Sequence, residues 1–258
     1  MVRHLPFDGI ENFRDFGGYD TACGRGLKEG VLYRSANHAH ASDTDLARLS
    51  ELGVAVIVDL RRPREREREP SKRHLAFDGH VIENHDEGDH GDWADLMPNY
   101  PTIDADWFRN DSLEFYRKAV HEPRHVDLFR RYFQALADAH GPVVVHCAAG
   151  KDRTGMICAF THHIAGVHRD DMIADYLATN DESRIGARVE FLGPCIERLT
   201  GHVVTEDALR VAVSVHESYL DAAFEEIAAS HGSLDGYLEQ VLGVDAAARE
   251  RIHAHIMR

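Results

Sequence analysis

Val143-Val144-Val145-His146-Cys147-Ala148-Ala149-Gly150-Lys151-Asp152-Arg153-Thr154-Gly155 decides how the rest of this chain is read. A β-branched run ends at His146, small residues follow, and a helical pattern continues through Met156, Ile157, Phe160 and Ile164. Such a run predicts a strand covered on both faces. A strand, a tight turn and a helix in that order gather backbone N–H groups and the positive helix end around one point. That arrangement binds anions. Ala148, Ala149 and Gly150 leave the point unobstructed, and Gly150 can adopt a positive φ where the turn requires it.

Working outward, Val54-Ala55-Val56-Ile57-Val58-Asp59-Leu60 is a second continuous apolar run and predicts a second buried strand. Val31-Leu32-Tyr33-Arg34-Ser35 predicts a third, shorter one. Between them Ser42 precedes Asp45 by three residues, a capping-box spacing, and Leu46, Leu49 and Leu52 fall on one helical face. Val81-Ile82 suggests another short strand. Strand, helix and strand in this order predict an α/β fold: a central, mainly parallel sheet flanked by helices. Residues 113–139 have helical periodicity with a break at Pro123. From 170 to 258 the pattern is helical, with breaks expected near Gly193-Pro194, Gly201, Gly232 and Gly243.

Two segments are less regular. Residues 61–73 are densely charged and bounded by Pro63 and Pro70, which reads as a turn and short helix. The alternation of Arg64-Glu65-Arg66-Glu67-Arg68-Glu69 reads as a solvated face. Residues 86–111 are acidic yet carry Trp93, Leu96, Met97, Trp107 and Phe108. Either a lid or recognition insert, or a surface excursion packing its own aromatics, accounts for them. No repeat or low-complexity linker divides the chain, so 1–258 is read as one domain.

The chain has 258 residues, 43% of them hydrophobic, and a formal net charge of -15. That balance opposes a general affinity for nucleic acid. An anionic substrate must find a local positive site. No apolar stretch has the length of a transmembrane helix, so integral membrane association is not expected. The N-terminus lacks the pattern of a signal peptide. Cys23, Cys147, Cys158 and Cys195 are widely spaced, which suits free thiols in a reducing cytoplasm. Secretion by a route without a signal peptide stays open.

The chemistry follows from the loop. A thiolate at Cys147 is a nucleophile, and the N–H groups, helix end and Arg153 surround it with positive charge. Arg153 lies six residues further on, so the turn can bring its planar fork back over the cup to hold two phosphate oxygens. His146 is expected to orient the loop by hydrogen bonding rather than act as a base. Thr154 can donate to the departing sulfur. The loop does not fit Gly-x-x-x-x-Gly-Lys-Ser/Thr, because Val145 and Asp152 occupy its defining positions.

These residues resemble the cysteine-dependent protein-tyrosine phosphatase superfamily. Within it, they are more similar to one bacterial branch, the tyrosine/serine phosphatases with phosphoinositide activity related to mycobacterial protein-tyrosine phosphatase B. The resemblance runs through Asn12-Phe13-Arg14-Asp15-Phe16-Gly17-Gly18, Leu32-Tyr33-Arg34-Ser35-Ala36 and Asp59-Leu60-Arg61-Arg62-Pro63-Arg64-Glu65. It continues in the loop's Lys151-Asp152, in Asp175-Tyr176-Leu177-Ala178-Thr179-Asn180 and in Gly232-Ser233-Leu234-Asp235-Gly236-Tyr237-Leu238. It is weakest over 86–111.

The resemblance implies a protein-tyrosine-phosphatase-like fold and hydrolysis through a phosphocysteine, without cofactor or metal. Its substrates would be phosphorylated protein or phosphoinositide, and its product inorganic phosphate. Ala148, Ala149, Gly150, Lys151, Asp152 and Arg153 would line the phosphate. There is no Trp-Pro-Asp; Trp93-Ala94-Asp95 is the nearest imitation and lies far upstream. The resemblance points to Asp152 as the general acid. Asp59, at the end of its strand, is the second candidate, its alternative being a partner for Arg61. Lys151 can serve a second phosphate or be an ordinary solvated lysine.

Two rival functions are a non-catalytic phosphate-binding module and a thiol redox or arsenate-reducing enzyme. The first has no need of Cys147, Asp152 and Arg153 together. The second wants a resolving cysteine, and Cys158 is expected to face the core. Among the nineteen histidines, the cluster His85-Asp86-Glu87-Gly88-Asp89-His90-Gly91-Asp92 lacks the helical spacing of a metal motif.

Overall fold

His146, the last residue of the apolar run, sits level with the ends of two neighbouring strands. That alignment builds the site. A computed structural model describes residues 3–88 and 93–258. Its first elements are β1 (Arg3–His4), β2 (Arg14–Asp15), β3 (Leu32–Ser35), α1 (Asp43–Glu51), β4 (Val56–Asp59), α2 (Pro63–Arg68) and β5 (His80–Ile82). Then come α3 (Trp93–Leu96), a 3-10 turn (Met97–Asn99), α4 (Ala105–Ala119), α5 (Pro123–Ala137) and β6 (Val143–His146). The remainder is helical: α6 (Asp152–Ala165), α7 (Arg169–Leu177), α8 (Glu182–Thr200), α9 (Glu206–Val213), α10 (Glu217–His231), α11 (Leu234–Gln240) and α12 (Ala246–Ile256).

The sheet order is β1-β2-β3-β6-β4-β5. β3, β6, β4 and β5 run parallel, and β1 and β2 add an antiparallel edge. The alternation of side chains explains the uniform apolar runs. Tyr33, Val144 and Ile57 share one register row and pack with Leu46 and Leu49 of α1. Leu32, Val143 and Val56 face the opposite side, with Val145 and Val58, and join the main core built with α5, α6 and α10. The capping box of α1 forms as the spacing suggests: Asp45 N donates to Ser42 Oγ at 3.1 Å and Ser42 N to Asp45 Oδ2 at 3.0 Å.

Two helix boundaries differ from the sequence reading. α4 begins at Ala105, because Asp104 caps it by accepting from Trp107 N at 2.8 Å. α8 runs unbroken through Gly193-Pro194. Pro194 removes the bond to the carbonyl four residues back, but Glu190 is exposed, so water can satisfy that carbonyl. Gly193 meets α9 closely: a Cβ there would lie 3.2 Å from Leu209 Cδ1. Trp93, Met97, Trp107 and Phe108 pack with α8 and α9 in a satellite cluster. Of the stretch 86–111, residues 89–92 lie outside the described residues, as does much of the His85–Asp92 cluster.

Behind β3 lies a buried ion cluster. Asp175 Oδ1 accepts from Arg14 Nε at 3.1 Å, and Oδ2 from Arg34 Nη1 at 2.7 Å. Burial alone would raise the Asp175 pKa, but the two guanidinium groups outweigh it and hold the carboxyl well below the usual carboxylate range. A depressed pKa contributes stability that is present above the unfolded value of about 4 and is lost as pH falls below it. Asp175→Asn is therefore expected to lower the unfolding free energy at neutral pH by about 3–5 kcal/mol, the cost of stranding buried charges. It should also flatten the loss of stability on acidification. Urea unfolding at neutral and acid pH measures both, and an unchanged acid limb would contradict the assignment.

Candidate active site

The loop after β6 is shaped from outside. Three consecutive carbonyls are drawn away from its centre. Ala148 O accepts from Asn37 N at 3.1 Å and Asn37 Nδ2 at 3.2 Å. Ala149 O and Gly150 O accept from Asn12 Nδ2 at 3.3 and 3.0 Å, and Gly150 O also from Arg34 Nη2 at 3.0 Å. Peptide planes whose carbonyls are held outward turn their N–H groups inward, which is the condition for an anion nest. Gly150 has φ +65°, and a Cβ there would lie 2.4 Å from Ser35 O. No other residue fits that position without moving β3.

Two of these donors, Asn12 and Arg34, are tied to the ion cluster. Arg14 Nη1 donates to Asn12 Oδ1 at 2.5 Å, which fixes the direction of the Asn12 amide. A chain of contacts thus runs from Asp175 through Arg14 and Asn12, and separately through Arg34, to the loop. The stretches around Asn12, Arg34 and Asp175 stand far apart in sequence and meet on the loop's outer side.

Cys147 is 3% exposed and lies at the base of a cleft of about 330 Å³. Ala148, Ala149, Lys151, Asp152 and Arg153 line the same cleft. Arg153 is held by a residue that sequence reasoning assigned to a solvated face. Its Nη1 and Nη2 donate to Glu65 Oε2 and Oε1 at 2.6 and 2.7 Å. Burial would raise the Glu65 pKa, but the Arg153 charge and these bonds hold it at about 2. Burial likewise opposes the charge on Arg153, and the pull of Glu65 outweighs it, so the arginine's pKa lies above its ordinary value. Glu65 is placed for this by the turn into α2, where it also accepts from Arg62 N at 2.8 Å.

Asp59 aligns with His146 across the β4–β6 pair, so the two strands are neighbours as expected. Its carboxylate, however, is sealed under the loop at 0% exposure and does not line the cleft. Arg61 grips it through N at 3.0 Å, Nε at 2.9 Å and Nη2 at 2.7 Å. Burial would raise the Asp59 pKa, but His146 and Arg61 hold it below the usual carboxylate range. His146 is fully buried, its Nδ1 lies 3.4 Å from Cys147 O, and its ring stacks on His38 with centroids 4.6 Å apart.

Asp152 is the first residue of α6 and opens onto the cleft. Tyr116 Oη donates to its Oδ1 at 3.1 Å. Lys151 is not solvated: it is 6% exposed, donates to Ala212 O at 2.7 Å, and its Nζ lies 3.6 Å from Asp152 Oδ2. The Thr154 hydroxyl is buried with no hydrogen bond in the structure. Asp95, of the nearest Trp-Pro-Asp imitation, is exposed and paired with Arg64, while Trp93 lines the cleft. Cys158 is buried in α6, where burial pushes its thiol up to about 12. Among the described residues, no group of three His, Cys, Asp or Glu side chains is placed to hold a metal ion.

Known proteins resemble this sequence over more than half of its length. A family profile described as "Tyrosine phosphatase family" matches residues 5–258. A Cupriavidus necator protein named as a tyrosine-protein phosphatase is 34% identical over 261 positions, covering 95% of this chain and 86% of its own. The triple specificity protein phosphatase PtpB of Mycobacterium tuberculosis is 31% identical over 283 positions, covering 99% of each chain. A tyrosine-protein phosphatase of Nostoc commune is 31% identical over 150 positions, 57% of this chain and 47% of its own. A similarity that reaches from residue 5 to the end spans the loop and every segment that shapes it, and the chain belongs to the tyrosine phosphatase family.

Proposed function

We propose that the protein hydrolyses phosphotyrosine in phosphorylated proteins through a phosphocysteine on Cys147, with Asp152 as general acid. The observation that carries this reading is the loop whose carbonyls are tied outward beside a buried thiol, with a guanidinium fork held over the same cleft. The sulfur attacks phosphorus, the S–P bond forms, and the ester P–O bond breaks. Arg153 and the loop amides bear the charge on the equatorial oxygens. Asp152 protonates the departing oxygen and then takes a proton from the attacking water, which releases inorganic phosphate. Thr154 has a hydroxyl free to donate to the departing sulfur.

Asp152 is preferred over Asp59 on position and ion pairing. Asp152 borders the cleft, whereas Asp59 is buried beneath it and ion-paired to Arg61. Asp59 and His146 are better read as supports for the loop. Phosphoserine, phosphothreonine and phosphoinositide are second readings. The phosphoinositide reading is favoured by Arg62, Arg64, Arg68, Arg184 and Arg188 around the cleft, which suit a substrate with further negative charge. The triple-specificity name of the mycobacterial relative agrees with that breadth. No helix among the described residues is long and apolar enough to cross a membrane.

Cys147→Ser is expected to abolish turnover of an aryl phosphate, with and without a chelator, while the folded protein still binds phosphate. Full activity in that variant would sink the mechanism. Removing the fork should cost more than removing its anchor. Arg153→Lys is expected to reduce kcat at least 100-fold, as loss of bidentate charge stabilisation does elsewhere. Glu65→Gln keeps one hydrogen bond and should lose about tenfold, seen mainly in kcat. A panel of phosphotyrosine peptide, phosphoserine peptide and phosphoinositide then ranks the substrate classes.

A further inference from the structure

The mechanism leaves two buried hydroxyls unused. Tyr116 in α4 and Tyr176 in α7 are 0% and 1% exposed, and their hydroxyl oxygens lie 2.6 Å apart. Tyr116 Oη has one proton, and it is directed to Asp152 Oδ1 at 3.1 Å. The proton in the shorter contact therefore comes from Tyr176. The pair forms a directed chain: Tyr176 donates to Tyr116, and Tyr116 donates to Asp152.

The surroundings keep that direction. Burial first, and the nearby Asp152 charge second, push both tyrosine pKa values well above the ordinary range, so both remain donors. Tyr176 reaches its place because residue 155 is glycine. A Cβ there would lie 2.7 Å from Tyr176 Cε2. The Tyr116 ring is wedged edge-on to Tyr176 and against Tyr219, with centroids 6.5 and 5.8 Å away. The donor pair is thus fixed by four helices, α4, α6, α7 and α10, before any substrate arrives.

We infer that Tyr116, steered by Tyr176, is a positioning residue that assigns the catalytic proton of Asp152 to Oδ2. This rests on the reading of Asp152 as general acid. An oxygen that already accepts a hydrogen bond from a fixed donor is a poor site for the acid's own proton. Oδ2 faces the Lys151 ammonium at 3.6 Å, beyond hydrogen-bond reach and with that ammonium bonded to Ala212 O at 2.7 Å, so it is the oxygen left to carry the proton, and the carboxyl plane is fixed about its Oδ1 anchor. In the first step the Oδ2–H bond breaks as the leaving oxygen takes the proton and the S–P bond replaces the ester P–O bond. In the second, Oδ2 recovers a proton from water as the new P–O bond forms and S–P breaks. Tyr116 and Tyr176 keep their protons throughout.

The test compares kcat/KM for two substrates. Phenyl phosphate needs a proton on its leaving oxygen, whereas 4-nitrophenyl phosphate releases a stable anion. Asp152→Asn should lose about 100-fold or more on phenyl phosphate and far less on 4-nitrophenyl phosphate. If both substrates fall equally, the assignment of the acid fails. Given the expected result, Tyr116→Phe, which keeps the ring, should lose about tenfold on phenyl phosphate and about twofold or less on 4-nitrophenyl phosphate. Tyr176→Phe should follow the same direction more weakly. In an Asp152→Asn background, Tyr116→Phe should have no further effect on either substrate. An equal loss on both substrates in Tyr116→Phe, or an undiminished effect in the double variant, would overturn the positioning role while leaving Asp152 as acid.

Discussion

Asp175, buried between Arg14 and Arg34, is the interaction on which the rest of the site depends. A carboxylate and two guanidinium groups without water are costly, and their attraction offsets that cost only with near-ideal geometry and further hydrogen bonds. Here the further bonds are the point. The donors left over after pairing reach Asn12 and the carbonyl of Gly150, so the ions fix peptide orientation in the loop after β6. The loop can then offer N–H groups to a phosphate without reorganising when it binds.

A second carboxylate works from the opposite side. Glu65 holds Arg153 through two bonds, but it borders the cleft rather than the core. The rear anchor sets the backbone, and the front anchor sets the Arg153 side chain at the cleft. Positive charge is concentrated this way in a chain whose formal net charge is -15. Arg62, Arg64, Arg68, Arg153, Arg184, Arg188 and Lys151 outnumber Glu65, Asp111 and Asp152 in the lining of the cleft.

What could be read from the chain follows the range of the forces involved. The buried strands, the phosphate loop and the α1 capping box are written in neighbouring residues, and Cys147, Arg153 and the cleft-lining loop are found where periodicity and spacing put them. Glu65 was not legible, because a carboxylate in an alternating charged run looks the same whether it meets water or an arginine 88 residues away. The burial of Lys151 against Ala212 was not legible either, because that contact spans 61 positions. Asp59 had its correct partner, Arg61, only as an alternative, since a strand-end carboxylate two residues from an arginine fits either role. Tyr116 and Tyr176 left no signal, because their chemistry exists only after α4, α6 and α7 have packed. The continuity of α8 through Pro194 depended on exposure, which helical periodicity does not report.

The outward ties on the loop also set an order of events in the life of the chain. Asn12 meets Gly150 across 138 positions and Arg14 meets Asp175 across 161, so the phosphate nest is closed by some of the most distant contacts in the molecule. Contacts of that span form only after long loops close, late in folding. A growing chain that has already exposed Cys147 still lacks Asp175 and the orientation it imposes. The surroundings of the thiol are therefore incomplete in the nascent and half-folded protein, and they are assembled only when the segment around Asn12 and Arg14 has met the loop and α7.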